Sequence, residues 1–353
     1  MLERTTYNRR RKQVMAQHST AQQEPCSIPC NLCGSTAVSL LANRSRSGKP
    51  LRTVICVRCG LVWSDPLPHN PRRFYEDDYR VSYKGTYSPK PKHILRAGNV
   101  AMSHYRRINR FLSEPRVILD VGTGGGEFAY LLQSLGHDVR GIDPNKGYVE
   151  YSIREYGLNV LSGFVQDVML PKDTFDVITI WHVLEHTENP YAVLTKLHTL
   201  LKPEGILVIE VPNIEATCQS PKSTFHEAHL FNFNGGTLNI LAEKASFIAE
   251  EHSISADGGN ITMFVRKASK SIKENPLVIP GNSERIIHTV RNHTPFRHYI
   301  SGNPYVRLYR RVRQSFREKR GIRDFESGKQ LLDRLYSPLR DVRPNSNQKD
   351  LKL

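Results

Sequence analysis

The stretch Ile118-Leu119-Asp120-Val121-Gly122-Thr123-Gly124-Gly125-Gly126 decides the fold. A short apolar run leads straight into a glycine-rich turn, and residues 127–135 then read as a helix that Gly136 closes. Glycines at such a turn let the backbone approach a ligand closely, and the helix N-terminus behind it offers unpaired N–H groups. Alone, Gly-x-Gly-x-Gly is a weak signal. It sharpens because Ile142-Asp143 ends the next apolar run about 20 residues on, where a carboxylate accepts hydrogen bonds from both ribose hydroxyls of a nucleoside. The spacing departs from the dinucleotide pattern Gly-x-Gly-x-x-Gly, since Gly126 falls one place early and Glu127 stands in the third glycine's position. A carboxylate there repels a pyrophosphate but tolerates a sulfonium and an amino group.

Working outward, residues 114–268 alternate apolar runs with amphipathic stretches, which predicts a mostly parallel sheet covered on both faces. Strands are expected at 116–121, 137–142, from 159, at 175–181 and at 206–211, with helices at 148–156, 190–201 and 237–245. Residues 247–254 and 261–265 read as an antiparallel closing pair. The fold class is therefore α/β, Rossmann-like.

Further motifs follow in order: Phe175-Asp176-Val177-Ile178-Thr179-Ile180-Trp181-His182-Val183-Leu184-Glu185-His186, then Leu201-Lys202-Pro203-Glu204-Gly205 through Val211-Pro212-Asn213. Together with Asp120 to Gly126 and Asp143, this set resembles the class I S-adenosylmethionine-dependent methyltransferases over about 150 residues. The resemblance implies that Asp120, Gly122, Gly124 and Gly126 cradle the methionine part of the cofactor and that Asp143 holds the ribose. It also implies Gln166 or Asp167 at the adenine and Trp181 with His182 at the outer edge. The family usually has glycine where Glu204 stands, a departure in a surface turn.

Ahead of this region, Cys30-Asn31-Leu32-Cys33-Gly34 and Cys56-Val57-Arg58-Cys59-Gly60 form two Cys-x2-Cys pairs, each followed by glycine. Paired knuckles of this kind suit one tetrahedral four-thiolate Zn²⁺ held by Cys30, Cys33, Cys56 and Cys59, a structural site with no open position for catalysis. Buried free thiols or a redox pair are the competing readings. The expected organisation is a basic arm over 1–25, a zinc ribbon over 26–66, a connector over 67–113, the catalytic domain over 114–268, and a basic, partly helical extension over 269–353. A zinc ribbon before a methyltransferase domain resembles the sugar methyltransferases of surface-polysaccharide and deoxysugar pathways. Their C-methylating members typically continue into a large second α/β domain, whereas a basic extension follows here, which favours an O-methyl product.

Ligands of open α/β sheets bind beyond the carboxyl ends of the strands, so the polar, aromatic segment Phe225-His226-Glu227-Ala228-His229-Leu230-Phe231-Asn232-Phe233 is the expected acceptor side. His229 is the first candidate for a base that makes an oxygen nucleophilic, with Glu227 orienting it or binding a sugar hydroxyl. A structural anchor for the next helix is the competing reading of His229. His182, Glu185 and His186 are expected to pack the cofactor pocket. Tyr75, Tyr79, Tyr83 and Tyr87 are candidates for lining the acceptor pocket or for packing.

The net charge of +16 is concentrated at the ends. Residues 269–353 carry 19 Lys and Arg against 8 Asp and Glu, and the middle of the chain is close to neutral. That distribution argues against a general nucleic-acid funnel over the catalytic domain. In the tail, Tyr305, Leu308, Tyr309, Val312 and Phe316 recur at helical spacing among arginines, so the helix either rests on an anionic membrane or packs on the catalytic domain. No run reaches the roughly 20 apolar residues of a membrane span. The start has no apolar signal region, and a cytoplasmic location, peripheral to the inner face of the membrane, is expected. The leading expectation is methyl transfer to a nucleotide- or lipid-linked sugar or glycan precursor. An RNA base methyltransferase and a zinc-ribbon adaptor on a methyltransferase-like fold stand as alternatives.

Overall fold

The computed structural model describes residues 26–68, 72, 89–268, 277–322 and 325–340. The arm over 1–25, Tyr75, Tyr79, Tyr83 and Tyr87, and the ends of the basic extension lie outside the described residues, as does the side chain of Phe316.

The chain begins with a β-hairpin of β1 (Val38–Arg44) and β2 (Pro50–Cys56), and β3 (Val62–Ser64) adds antiparallel to β2. Helix α1 (Pro91–Ile108) has Pro91 in its first turn, where the missing N–H costs nothing. Then come β4 (Val117–Val121), α2 (Glu127–Ser134), β5 (Asp138–Asp143), α3 (Lys146–Tyr156), β6 (Asn159–Ser162) and β7 (Phe175–Trp181). Helix α4 (Pro190–Leu200), capped by the Asn189 side chain, leads into β8 (Leu201–Pro212). After β9 (Phe231–Asn232), helix α5 (Gly235–Lys244) opens with a reciprocal capping box between Asn234 and Thr237. Strands β10 (Phe247–Ile254) and β11 (Asn260–Lys267) follow, then helices α6 (Asn282–Asn292), α7 (Pro295–Ile300), α8 (Asn303–Gly321) and α9 (Gly328–Arg340).

Seven strands form one sheet in the order β10-β11-β8-β7-β4-β5-β6. Strands β4 to β8 run parallel, and β11 is antiparallel to both β8 and β10. Side chains alternate between the faces as the pleat requires. Leu119, Ile178, Ile180 and Ile209 join the core under α4 and α5, while Ile118, Val177 and Val208 join the core under α1, α2 and α9.

Two features were not legible in advance. First, the ribbon shares its sheet with the catalytic domain, because β9 pairs antiparallel with β3 to give the order β1-β2-β3-β9. Its Cys30, Leu32, Val54 and Trp63 belong to the same apolar core as α4 and α5. Second, the end of the basic extension is a core element. Leu331, Leu332 and Tyr336 of α9 are buried, the Tyr336 hydroxyl donates to the Glu127 carbonyl, and a side chain at Gly98 of α1 would run into Leu332 and Leu335. Helix α8 is different: Tyr305, Leu308 and Tyr309 are each more than 60% exposed. The helix nevertheless packs on the catalytic domain away from that stripe: the buried Glu318 pairs with Arg96 of α1, Gly321 lies against Leu95, and Arg307 donates to the Cys218 carbonyl.

Candidate active site

A cavity of about 730 Å³ opens beyond the carboxyl ends of β4, β5, β7 and β8, within the range of roughly 300–1,000 Å³ typical of small-molecule sites. At its first end, Gly122 and Thr123 turn back so that both their N–H groups donate to the Ile142 carbonyl. Gly122 has φ of 77° and lines the cavity, and a side chain there would overlap Val183. The backbone thus forms a cradle that any Cβ would fill. Asp143, at the end of β5, faces the cavity while the N–H groups of Gly124 and Asn145 hold its carboxylate at 2.8 and 2.9 Å. Phe164 and Gln166 continue the wall.

The remaining expected cofactor residues lie behind this wall. Asp120 is buried, and its two oxygens accept from the hydroxyls of Thr123 (2.6 Å) and Thr179 (2.7 Å). Burial pushes its pKa up against those hydrogen bonds. Gly124 spends its N–H on Asp143, and Gly126 packs against Leu158 and Ser152. Asp167 pairs with Arg72 at 2.7 Å, and it is Arg72, not Asp167, that reaches the cavity. Of the expected set, the fold brings Gly122, Asp143, Gln166, Trp181 and His182 to one cavity. The others support it from behind.

The floor is an alternation of acids and imidazoles. Trp181 stacks on His104 at 3.8 Å, nearly parallel. His182, at φ of 54°, lies between two buried carboxylates, with Nδ1 3.4 Å from Glu185 and Nε2 3.2 Å from Glu210. Burial works against its charge, but the two acids outweigh it and raise its pKa to about 10. Glu210 is also held by Arg107 and by the Thr262 hydroxyl.

The far end of the cavity is lined by His186, His226, His229, Asn213, Asn232 and Arg46. The His226 ring stacks on His229 at 4.8 Å, and His186 meets His229 edge-on at 4.9 Å. Burial, reinforced by His186, lowers the His229 pKa to about 3, so the imidazole is neutral at physiological pH. Glu227 is placed differently from the expectation that it orients His229. It is not on the cavity wall, and its carboxylate accepts from the hydroxyls of Ser45 and Ser47 in the β1–β2 turn. That turn also bonds the acceptor segment through Arg46 N–H to the Phe225 carbonyl at 2.7 Å. A backbone chain then runs inward: Ser64 N–H donates to Leu230 O, and Leu230 N–H donates to Glu185 O. The ribbon therefore sets the height of the histidine segment.

Within the ribbon, the sulfurs of Cys30 and Cys59, and of Cys33 and Cys56, are each 3.5 Å apart. Thiolates at about 2.3 Å from a tetrahedral Zn²⁺ are about 3.8 Å apart, so the four side chains fit that ion. Gly34 and Gly60 take positive φ at the two knuckles, and Lys244 Nζ donates to the Asn31 and Leu32 carbonyls. Arg46 and Arg72 also line the cavity; neither was legible in the sequence, because each lies far along the chain from the strand ends that form the rest of the wall.

Residues 96–252 match Methyltransf_23, a methyltransferase domain family. Among curated proteins, a ubiquinone biosynthesis O-methyltransferase of Actinobacillus pleuropneumoniae serotype 5b is 33% identical over 106 residues, covering 27% of this chain and 45% of the relative. The mitochondrial ubiquinone biosynthesis O-methyltransferase of Schizosaccharomyces pombe is 35% identical over 100 residues, covering 26% and 36%. The match thus spans less than half the length of these relatives. The solved structure of the Burkholderia thailandensis 1,6-didemethyltoxoflavin-N1-methyltransferase, with its substrate and S-adenosylhomocysteine, aligns with a TM-score of 0.42 at 19% identity, covering 61% of this chain and 98% of that one. The strand order, the glycine cradle and the family match agree that the chain carries a class I S-adenosylmethionine-dependent methyltransferase domain.

Proposed function

We propose that this protein transfers a methyl group from S-adenosylmethionine to a hydroxyl of a polyhydroxylated small molecule, a sugar or glycan precursor, in the far half of the cavity. The observation that carries the reading is the composition of that one cavity. A glycine cradle and Asp143 stand at one end, and a wall of Arg46, Asn213, Gln219, Ser223, Asn232 and His226 stands at the other. Amides, hydroxyls and a guanidinium in that density suit an acceptor with many hydroxyls. The O-methyl outcome is supported by the relatives' names, which describe O-methyltransferases; the sugar acceptor rests on the wall.

When bound, S-adenosylmethionine supplies an electrophilic methyl group on a sulfonium. The chain's own part is positioning, which accounts for much of the barrier reduction in an in-line displacement. Asp143 accepts from the ribose hydroxyls and Gln166 borders the adenine. His229, beside Glu185 and His186, is assigned to the acceptor hydroxyl. Cys30, Cys33, Cys56 and Cys59 hold a structural Zn²⁺ that keeps β3, and through it the histidine segment, in place. Isothermal titration with S-adenosylmethionine, followed by turnover assays against nucleotide sugars, tests the reading. Micromolar cofactor binding with methylated sugar product is expected; a folded protein that binds no cofactor would overturn it.

The extension is proposed to rest on an anionic membrane surface at the inner face. Helices α7 and α8 expose Phe296, Tyr299, Tyr305 and Tyr309 beside the exposed Arg297, Arg311 and Arg313. Aromatic and cationic groups together suit a negatively charged headgroup layer. Among the described residues no helix is long and apolar enough to cross a membrane. Sedimentation with phosphatidylserine vesicles, but not with phosphatidylcholine vesicles, is expected, and equal binding to both or to neither would refute it.

A further inference from the structure

A second concavity, of about 430 Å³, lies behind Glu210 of the active-site floor, between the end of α1 and the hairpin of β10 and β11. Arg106 and Arg107 reach it from the last turn of α1, and Arg110 from the short 3₁₀ turn Asn109–Phe111 that follows. Strand pairing sets Glu251 opposite Phe264 and Ser253 opposite Thr262, so these four side chains share the face turned toward α1. We propose that this concavity binds a multiply charged phosphate anion, of the diphosphate class, as an effector whose occupancy reaches the active site through Arg107 and Glu210.

Three observations carry the site. The first is an excess of positive charge. Three guanidinium groups line the concavity, and only two carboxylates pair with them, Glu251 on its wall and the buried Glu210 behind it. Like charges gathered in one concavity repel one another unless an anion enters. The second is unused donor capacity, since a guanidinium carries five N–H donors. Arg107 spends Nη1 on Glu210 and the Thr262 hydroxyl, and Arg110 spends Nη2 on Glu251 at 2.6 Å. Arg106 makes no hydrogen bond or ion pair among the described residues. The third is preorganisation. The Arg110 guanidinium carbon lies 4.7 Å from the ring centres of both Phe111 and Phe264, so its plane is fixed without the use of its donors. A planar fork held in this way matches the paired oxygens of a phosphate.

The path to the active site is one residue thick. Glu210 accepts from Arg107 and from the Thr262 hydroxyl on the side of the second concavity, while His182 Nε2 stands 3.2 Å from it on the side of the first. An anion that draws Arg107 toward itself takes positive charge from Glu210 and leaves the floor of the active-site cavity more negative. That favours the cationic sulfonium of S-adenosylmethionine over the uncharged thioether of S-adenosylhomocysteine. This coupling rests on the methyl-transfer reading above; anion binding itself does not.

The test is calorimetric titration of inorganic diphosphate into the full chain, dialysed free of excess metal. Saturable binding is expected, weakened about tenfold or more by Arg106→Ala and by Arg110→Ala. Arg106 is exposed, so its removal should leave the melting temperature unchanged, which separates loss of the site from loss of the fold. With diphosphate present, affinity for S-adenosylmethionine should rise several-fold relative to S-adenosylhomocysteine, and Arg106→Ala should lose that rise at the same diphosphate concentration. No saturable binding, or binding of unchanged strength in both variants, would overturn the site. Binding that leaves the ratio of the two cofactor affinities unchanged would overturn the coupling. A chain that binds diphosphate but neither form of the cofactor would overturn the methyl-transfer reading and leave the anion site standing.

Discussion

The two ends of the cavity are built in opposite ways. At the cofactor end, Gly122, Asp143 and Gln166 come from consecutive strand ends of one parallel sheet, and their hydrogen bonds are mostly to backbone a few residues to about 20 residues away. At the acceptor end, Arg46 comes from the ribbon hairpin, Glu185 and His186 from the turn after β7, and His226 and His229 from the segment before β9. The first end is a property of the sheet; the second also takes Arg46 from the ribbon hairpin and leans on it through the Arg46 N–H to Phe225 carbonyl bond. Local geometry can therefore hold a cofactor that many chains share, while specificity depends on long-range assembly.

That contrast is most severely tested by dismantling the ribbon. Structural four-thiolate zinc contributes on the order of 10 kcal/mol to the fold it holds, so Cys56→Ser should cut acceptor turnover by more than about 100-fold. Its S-adenosylmethionine affinity, read by calorimetry, should stay within about tenfold. An equal loss of both would mean that the two ends are one unit.

The opposite change is Asp143→Ala, which removes the carboxylate proposed to take the ribose hydroxyls and held by the Gly124 and Asn145 N–H groups. Cofactor affinity should fall on the order of 100-fold, with the thiolate-bound metal of the ribbon unaffected. Next in size, Gly122→Ala places a methyl group against Val183 at positive φ. A cost of about 1–3 kcal/mol should appear as roughly tenfold weaker cofactor binding and a lower melting temperature.

Arg46→Ala should sharpen the comparison further. A several-fold rise in acceptor KM with kcat and cofactor affinity unchanged is expected, since Arg46 lines the cavity on the side of His226.

The smallest effect lies under the sheet. Asp176 accepts from Val117 N–H and from Lys202, both at 2.8 Å. Burial opposes its charge, but these partners hold its pKa below the usual carboxylate value. Its contribution is therefore present above the unfolded-state pKa and is lost as pH falls through the folded one. Asp176→Asn should cost about 1 kcal/mol at neutral pH, and the gap between the variant and the unmodified protein should close in acid denaturation below about pH 4.

Much of the fold was legible because its signals are local. The largely apolar run 175–181 became β7, and the strand, glycine turn and helix around Asp120 fell within a residue or two of their expected bounds. The cofactor residues were less legible than the motif suggests. Asp120, Gly124 and Gly126 belong to it, yet they support the wall rather than form it, since a motif reports neighbours in sequence and not which atoms face the cavity. The two residues expected at the acceptor part ways in the fold: His229 lies on the cavity wall, but Glu227 turns to Ser45 and Ser47. That partner is 180 residues away in the chain and nothing local announces it.

By itself the sequence determined the alternating α/β pattern, the glycine turn with its carboxylate after the second strand, and the two thiolate knuckles. Each rests on side-chain periodicity or backbone freedom within a few residues. Only the tertiary structure decided that β9 completes the ribbon sheet, that α9 closes the core while the aromatic stripe of α8 stays exposed, and that the buried Glu185 stands between His182 and His186. Those outcomes depend on which distant surfaces exclude water together, and burial of that kind has no signature in the spacing of residues along the chain.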